Sequence, residues 1–239
     1  MMRRGMVIAL SGIDSSGKST QRRNLEAMLT DCGLSPRTIW SRPGYTPGLG
    51  RLRRLLRIHK RRRSSPKEGI SGKPGQYPQR AATLPNPVKR RLWLTVAQLD
   101  LLWLYAVWIR WLRALGRSVI CDRYLLDGMV DFRVNFPDDQ VERRLLFRLL
   151  RRCAVRPDAA FCLLIPPQES QRRSRQKARY HWETEEILDN RHAAYLAAGD
   201  ELGVTVLDGT RSTDEISTQM RETIRQVLPG SGCGERWAS

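Results

Sequence analysis

The chain is predicted to be an α/β protein whose parallel sheet is covered by helices on both faces. Two features carry that prediction. The strand candidates are short and apolar throughout rather than alternating, and they are separated by helical segments. A glycine-bearing loop also joins the first strand to the first helix. Residues 6–11 form the first strand, and a helix follows from about Lys18 to Cys32, with Gly33 placed to end it in the left-handed conformation. Residues 37–41 are a second strand candidate. Residues 92–112, rich in Leu and Trp, make a long helix that Gly116 closes. Residues 117–122 read as a buried strand, about 139–153 as a helix, and 158–165 as another apolar strand. An Arg-rich helical stretch then runs to about Ala198, and 204–208 is the last strand. The final helix opens on Ser212-Thr-Asp-Glu215, a capping-box pattern, and stops at Pro229-Gly230. One domain over 1–230 and a frayed tail over 231–239 are expected.

Such sheets bind ligands at the carboxyl ends of their strands. Ser11 and Gly12, Ser41 and Arg42, Asp122, and Ile165 and Pro166 should therefore converge on one cleft.

The composition excludes several classes. With 239 residues, 41% hydrophobic and 28% charged, the chain can bury a proper core and is not disordered throughout. Five widely spaced cysteines without a C-x-x-C pair exclude a disulfide framework or a zinc site and read as free thiols. The first apolar run is too short for a signal peptide, so a cytoplasmic protein is expected. The Trp-rich segment is nearly long enough to span a bilayer, but Gln98, Asp100 and Arg110 interrupt it, and it is read as a buried core helix. The formal charge is +18, yet residues 51–91 alone contain 14 Lys/Arg against one acid, Glu68. The excess is thus a local Pro-rich insertion. Residues 49–58 are read as a short basic helix and 64–87 as a mobile loop. Contact with a polyanion or an anionic membrane through 51–91 is a weaker reading, because Tyr77 is the segment's one aromatic for stacking on a base.

Gly12-Ile-Asp-Ser-Ser-Gly-Lys-Ser19 matches G-x-x-x-x-G-K-[ST], with a strand before it and a helix after it. Gly12 and Gly17 permit a tight backbone wrap that points successive N–H groups at phosphate oxygens. The helix N-terminus adds its positive dipole end at the same place. Lys18 reaches the β- and γ-phosphates of ATP, and the Ser19 hydroxyl ligates Mg²⁺. Asp14, Ser15, Ser16 and Thr20 complete the ATP-binding loop. Asp122 closes a strand, where an acid can hold the magnesium shell, and Arg123 beside it can neutralise phosphate charge. Arg172, Arg173, Arg175, Lys177 and Arg179 follow the strand end at Ile165. They read as a lid over 166–183 that brings cations to the migrating phosphoryl group and expels water.

Together these motifs resemble the thymidylate kinase family of P-loop nucleoside monophosphate kinases. The resemblance runs from Met6 to about Leu228. It rests on residues 8–21, on Arg42-Pro-Gly-Tyr-Thr-Pro47, on Asp122-Arg-Tyr124, on the Arg-rich stretch and on residues 206–212. It implies a five-stranded parallel sheet and transfer of the ATP γ-phosphoryl group to a nucleoside monophosphate, dTMP first among them. By resemblance, Asp14 would bind the acceptor sugar's 3′-hydroxyl, Arg42 and Arg123 the acceptor phosphate, with Arg53 and Tyr124 on the acceptor side. Arg172, Arg173 and Arg179 would supply the catalytic cations, and the loop Asp208–Arg211 would border adenine. A homodimer through the Trp-rich helix is implied as well.

The chain departs from the family pattern in lacking a Glu between Arg42 and Pro43, and in lacking any Arg between Arg91 and Arg110 to read the thymine edge. Gln98 or Asp100 could hydrogen-bond a base instead. Two other readings stay open. One is a kinase of a nucleoside or sugar hydroxyl with Asp14 as general base. The other is an ATP-switched protein that binds nucleic acid or a membrane surface.

Overall fold

The computed structural model describes residues 5–44, 85–176 and 184–227. Its strands are β1 (Val7–Gly12), β2 (Arg37–Trp40), β3 (Val119–Asp122), β4 (Ala159–Leu164) and β5 (Thr205–Asp208). They form one parallel sheet in the order β2-β3-β1-β4-β5. The helices are α1 (Lys18–Asp31), α2 (Pro87–Leu102), α3 (Ile109–Ala114), α4 (Leu125–Asn135), α5 (Leu145–Cys153), α6 (Pro167–Gln176), α7 (Glu185–Leu202) and α8 (Thr213–Val227). This is the P-loop kinase arrangement of an α/β sheet with helices on both faces.

The apolar central strands β1, β3 and β4 are explained by burial on both sides, whereas the edge strands β2 and β5 are largely exposed and carry Arg37, Thr38, Thr205 and Asp208. Val7 and Ala9 of β1 join the larger core with α2 to α5 and α7, while Ile8 and Leu10 join a smaller one with α1 and α8. Connections from β1 lead to one side of the sheet and those from β3 to the other. A crevice therefore opens between the carboxyl ends of β1 and β3, the expected ligand position in such sheets.

Local signals set the helix ends. Asn86 Oδ1 accepts from the N–H groups of Val88 and Lys89 at 3.0 and 3.1 Å, with Pro87 in the first turn of α2. Ser212 and Glu215 make the expected reciprocal cap of α8, at 2.9 and 3.3 Å.

Three elements differ from expectation. α4 was not anticipated: eight of its eleven residues are buried, Asp127 and Asp131 among them, so it presents no amphipathic stripe, and Gly128 lowers its helix propensity. The helix expected over 139–153 starts only at Leu145, after short 3₁₀ turns at Pro137–Asp139 and Val141–Arg143. The Trp-rich helix continues from α2 to α3 through a π-helical segment, Trp103–Trp108. Among the described residues, Pro87–Ala114 is the helical run long and apolar enough to cross a membrane. Its inner face packs into the core through Leu94, Leu101, Leu104, Tyr105, Ile109 and Leu112, as expected of a core helix. The basic helix at 49–58, most of the loop at 64–87 and the tail at 231–239 lie outside the described residues.

Candidate active site

The loop after β1 wraps tightly because glycine is required there. Gly12 has φ +137°, and a Cβ on it would lie 2.1 Å from the Leu163 carbonyl oxygen of β4. Gly17, at φ +96°, turns the chain into α1, whose first turn carries Lys18, Ser19 and Thr20. Lys18 is buried, and its ammonium donates to the Ile13 carbonyl at 2.5 Å and to Ser16 Oγ at 3.5 Å. Burial, with Arg123 nearby, pushes the Lys18 pKa down to about 8 against the pull of Asp14, Asp127 and Asp122.

α6 docks onto this loop: Ser170 donates to the Asp14 carbonyl at 2.8 Å, and the hydroxyls of Ser174 and Ser15 meet at 2.8 Å. The loop after β5 closes the same side, since a Cβ on Gly209 would lie 2.8 Å from the Ser16 carbonyl oxygen. Arg173 bridges the two, donating to the Gly209 carbonyl at 3.1 Å and to Glu169 at 2.6 Å. Arg172 also pairs with Glu169 and is exposed. Arg211 lies at the edge, 4.0 Å from Asp208. Arg53 and Arg179 fall outside the described residues.

Across the crevice, Arg123 follows β3 with φ +73°. It donates to Asp14 at 2.5 Å and to Asp127 at 2.9 Å. Tyr195 of α7 donates to the same Asp127 oxygen at 2.7 Å, and burial holds its hydroxyl protonated. Burial works to raise the Asp14 pKa, but Arg123, Lys18, Arg42 and Arg191 outweigh it and hold this carboxyl well below the usual range.

The backbone of Arg123 is fixed as well. Ser41 donates its hydroxyl to the Arg123 carbonyl at 2.9 Å, so the Tyr105 hydroxyl, 2.7 Å from Ser41 Oγ, must be the donor of that pair. Arg42 pairs through Nε and Nη2 with Asp131 at 2.9 and 3.4 Å, and among the described residues Nη1 has no partner and is left for an anion. Arg191 of α7 donates to Asp131 at 2.8 Å from the other side. Asp131, Asp127, Arg191, Tyr195 and Ser41 thus set the two arginines; the sequence reading placed Ser41 at the cleft and assigned the other four no role. The i,i+4 spacing of Asp127 and Asp131 straight after Asp122-Arg-Tyr124 was the available signal, but it counts only once 125–135 is known to be helical.

One expectation is corrected. Tyr124 does not face the acceptor side: it is buried, its hydroxyl donates to the Val155 carbonyl at 2.8 Å, and its ring packs on Tyr105. Gln98 is wholly buried on the inner face of α2.

Asp122 lies 3.5 Å from Arg22, and burial raises its pKa against the pull of Arg123, Lys18 and Arg22. Among the described residues no cluster of three or more His, Cys, Asp or Glu could hold a metal ion. One hydroxyl, Ser19, and one carboxylate, Asp122, fit a Mg²⁺ ion that keeps several waters and takes its other ligands from phosphates.

No family model matches the chain. It is 30% identical over 173 residues to a thymidylate kinase of Dinoroseobacter shibae, covering 70% of this chain and 68% of the relative. A thymidylate kinase of Symbiobacterium thermophilum is 27% identical over 233 residues, which cover 93% and 94% of the two chains. The chain belongs to the thymidylate kinase family.

Proposed function

We propose that the protein transfers the γ-phosphoryl group of ATP to a nucleoside monophosphate, giving the diphosphate and ADP, with dTMP as the first acceptor to test. The observation that carries this reading is the pair Arg42 and Arg123. Both are anchored by aspartates beside the phosphate loop, with Arg42 Nη1 left for an anion. A phosphate acceptor is already a nucleophilic anion, so the site needs positioning and charge neutralisation rather than a base.

In this reading the N–H groups of the loop from Gly12 to Ser19 and the Lys18 ammonium cradle the β- and γ-phosphates. Arg42 and Arg123 align the acceptor phosphate. An acceptor oxygen bonds to the γ-phosphorus as its bond to the β–γ bridging oxygen breaks, and the leaving charge stays on ADP. Ser19 and Asp122 would hold Mg²⁺, which supplies charge neutralisation on the phosphates when bound. Arg172 and Arg173 would exchange Glu169 for phosphate oxygens as the lid closes, with Arg179 a further lid candidate.

The hydroxyl-acceptor alternative fits less well. It needs Asp14 as a base, and a carboxylate paired with Arg123 and held far below its usual pKa takes up a proton poorly. An assay of ADP release separates the two: turnover is expected with dTMP and none with thymidine or free sugars, and the reverse pattern overturns the proposal.

A second copy of the chain is the proposed occupant of the outer face of α2 to α3, where Leu92, Leu99, Trp103, Val107 and Trp111 are about half exposed or more in one stripe. Sedimentation at micromolar concentration is expected to give a dimer that Val107→Glu dissociates. A monomer in the unaltered chain contradicts this. The polyanion reading concerns residues 51–91, of which those up to 84 lie outside the described residues, and it remains the less favoured one.

A further inference from the structure

Gln98 is 0% exposed, and among the described residues neither its Nε2 nor its Oε1 has a hydrogen-bond partner. Leaving a buried amide unpaired at both ends is destabilising, and Met or Leu in its place would remove that cost. Two contacts fix its position. Trp93 of α2 stacks on Phe136 after α4, with ring centroids 5.4 Å apart, and Leu101 of α2 reaches within 3.7 Å of where a Cβ on Gly128 of α4 would be. The two helices therefore run antiparallel, and Gln98, between Trp93 and Leu101 on the buried face, lies level with Asp131 and Phe132. Along the other side of α2, Tyr105 bonds Ser41, and the Trp93 ring lies 2.6 Å from a Cβ position on Gly44. Along the chain, Gln98 falls between these two contacts.

We infer that the Gln98 carboxamide reads the base of the acceptor nucleotide and does so without distinguishing a keto from an amino group at the pyrimidine 4-position. This rests on the monophosphate kinase reading above. A carboxamide offers one donor side and one acceptor side. Thymine presents an N3–H donor beside an O4 acceptor, and cytosine presents an N3 acceptor beside an N4–H donor, so a half-turn of the amide matches either edge. No described side chain or backbone group ties down either end of Gln98, so both orientations are open. A guanidinium, which only donates, would favour the keto base.

The test uses the full chain with ATP and Mg²⁺ and compares dTMP with dCMP. Their kcat/KM values are expected to agree within about tenfold. Gln98→Met should raise the KM of both acceptors about tenfold or more and leave the KM of ATP unchanged. It should also raise Tm by about 2–4 °C, because the unpaired amide is gone. A group with a purely structural role would not shift acceptor KM and Tm upward together. An unchanged acceptor KM in an active variant overturns the inference. So does a preference for dTMP over dCMP of more than about a hundredfold in the unaltered chain, a comparison that stands even if the variant fails to fold. ADP release with no monophosphate at all overturns the kinase reading beneath it, a result distinct from the other two.

Discussion

Asp131→Ala is expected to lower stability by about 3–5 kcal/mol and Tm by on the order of 10 °C. The carboxylate is buried and binds Arg42 on one side and Arg191 on the other, so its removal leaves two cations without their shared partner. Replacing a whole buried ionic group by apolar residues can be neutral, whereas removing the one anion that two cations share is strongly destabilising. The same substitution frees Arg42 to leave its side-on geometry. The KM of the acceptor should therefore rise at least tenfold while that of ATP stays within about twofold. Thermal unfolding and initial rates at varied acceptor concentration check both halves. A variant as stable as the parent would mean that the arginines are held by something other than this carboxylate.

Lys18→Ala is expected to lower kcat by at least about a hundredfold, the scale set by removing one preorganised charge donor from a transition state. Its fold should persist, because the lysine's own bonds are to the Ile13 carbonyl and Ser16 within a loop that Gly12 and Leu163 already brace. The pH dependence carries the same assignment. Burial sets the free-enzyme Lys18 pKa at about 8, so its proton leaves as the pH rises through that value, and kcat/KM for ATP should fall on the alkaline side from near pH 8. Bound phosphates stabilise the ammonium, so the limb in kcat should lie higher. A kcat/KM profile flat to pH 10 would contradict the role given to Lys18.

What could be read in the sequence followed from local chemistry. The central strands β1, β3 and β4 announced themselves by being nearly apolar throughout, because they are buried on two faces, whereas the edge strands β2 and β5 are largely exposed; Gly12-x₄-Gly17-Lys18-Ser19 could be read from backbone constraints alone. The Ser212–Glu215 cap was equally local. The acceptor side was less legible because its logic is tertiary. α4 is buried nearly all round and carries Gly128, so its periodicity was hidden, and with it the shared face of Asp127 and Asp131. Arg191 and Tyr195 come from α7, about 70 residues after Arg123, where no spacing could link them to the site. Tyr124 looked like a site residue only because it adjoins Arg123. The left-handed turn at Arg123 sends the two side chains apart, one to the crevice and one to the core. Nothing in the composition of Trp103–Trp108 announced its π-helical turn.

The central claim is that a phosphoryl group passes directly from ATP on the phosphate loop to a nucleoside monophosphate held by Arg42 and Arg123. The most direct measurement is to follow the label from γ-³²P ATP with dTMP, using the full chain and the Lys18→Ala variant. Labelled thymidine diphosphate, formed by the full chain and reduced at least about a hundredfold in the variant, is the predicted result. Label released only as inorganic phosphate, or equal diphosphate formation by both proteins, would contradict it.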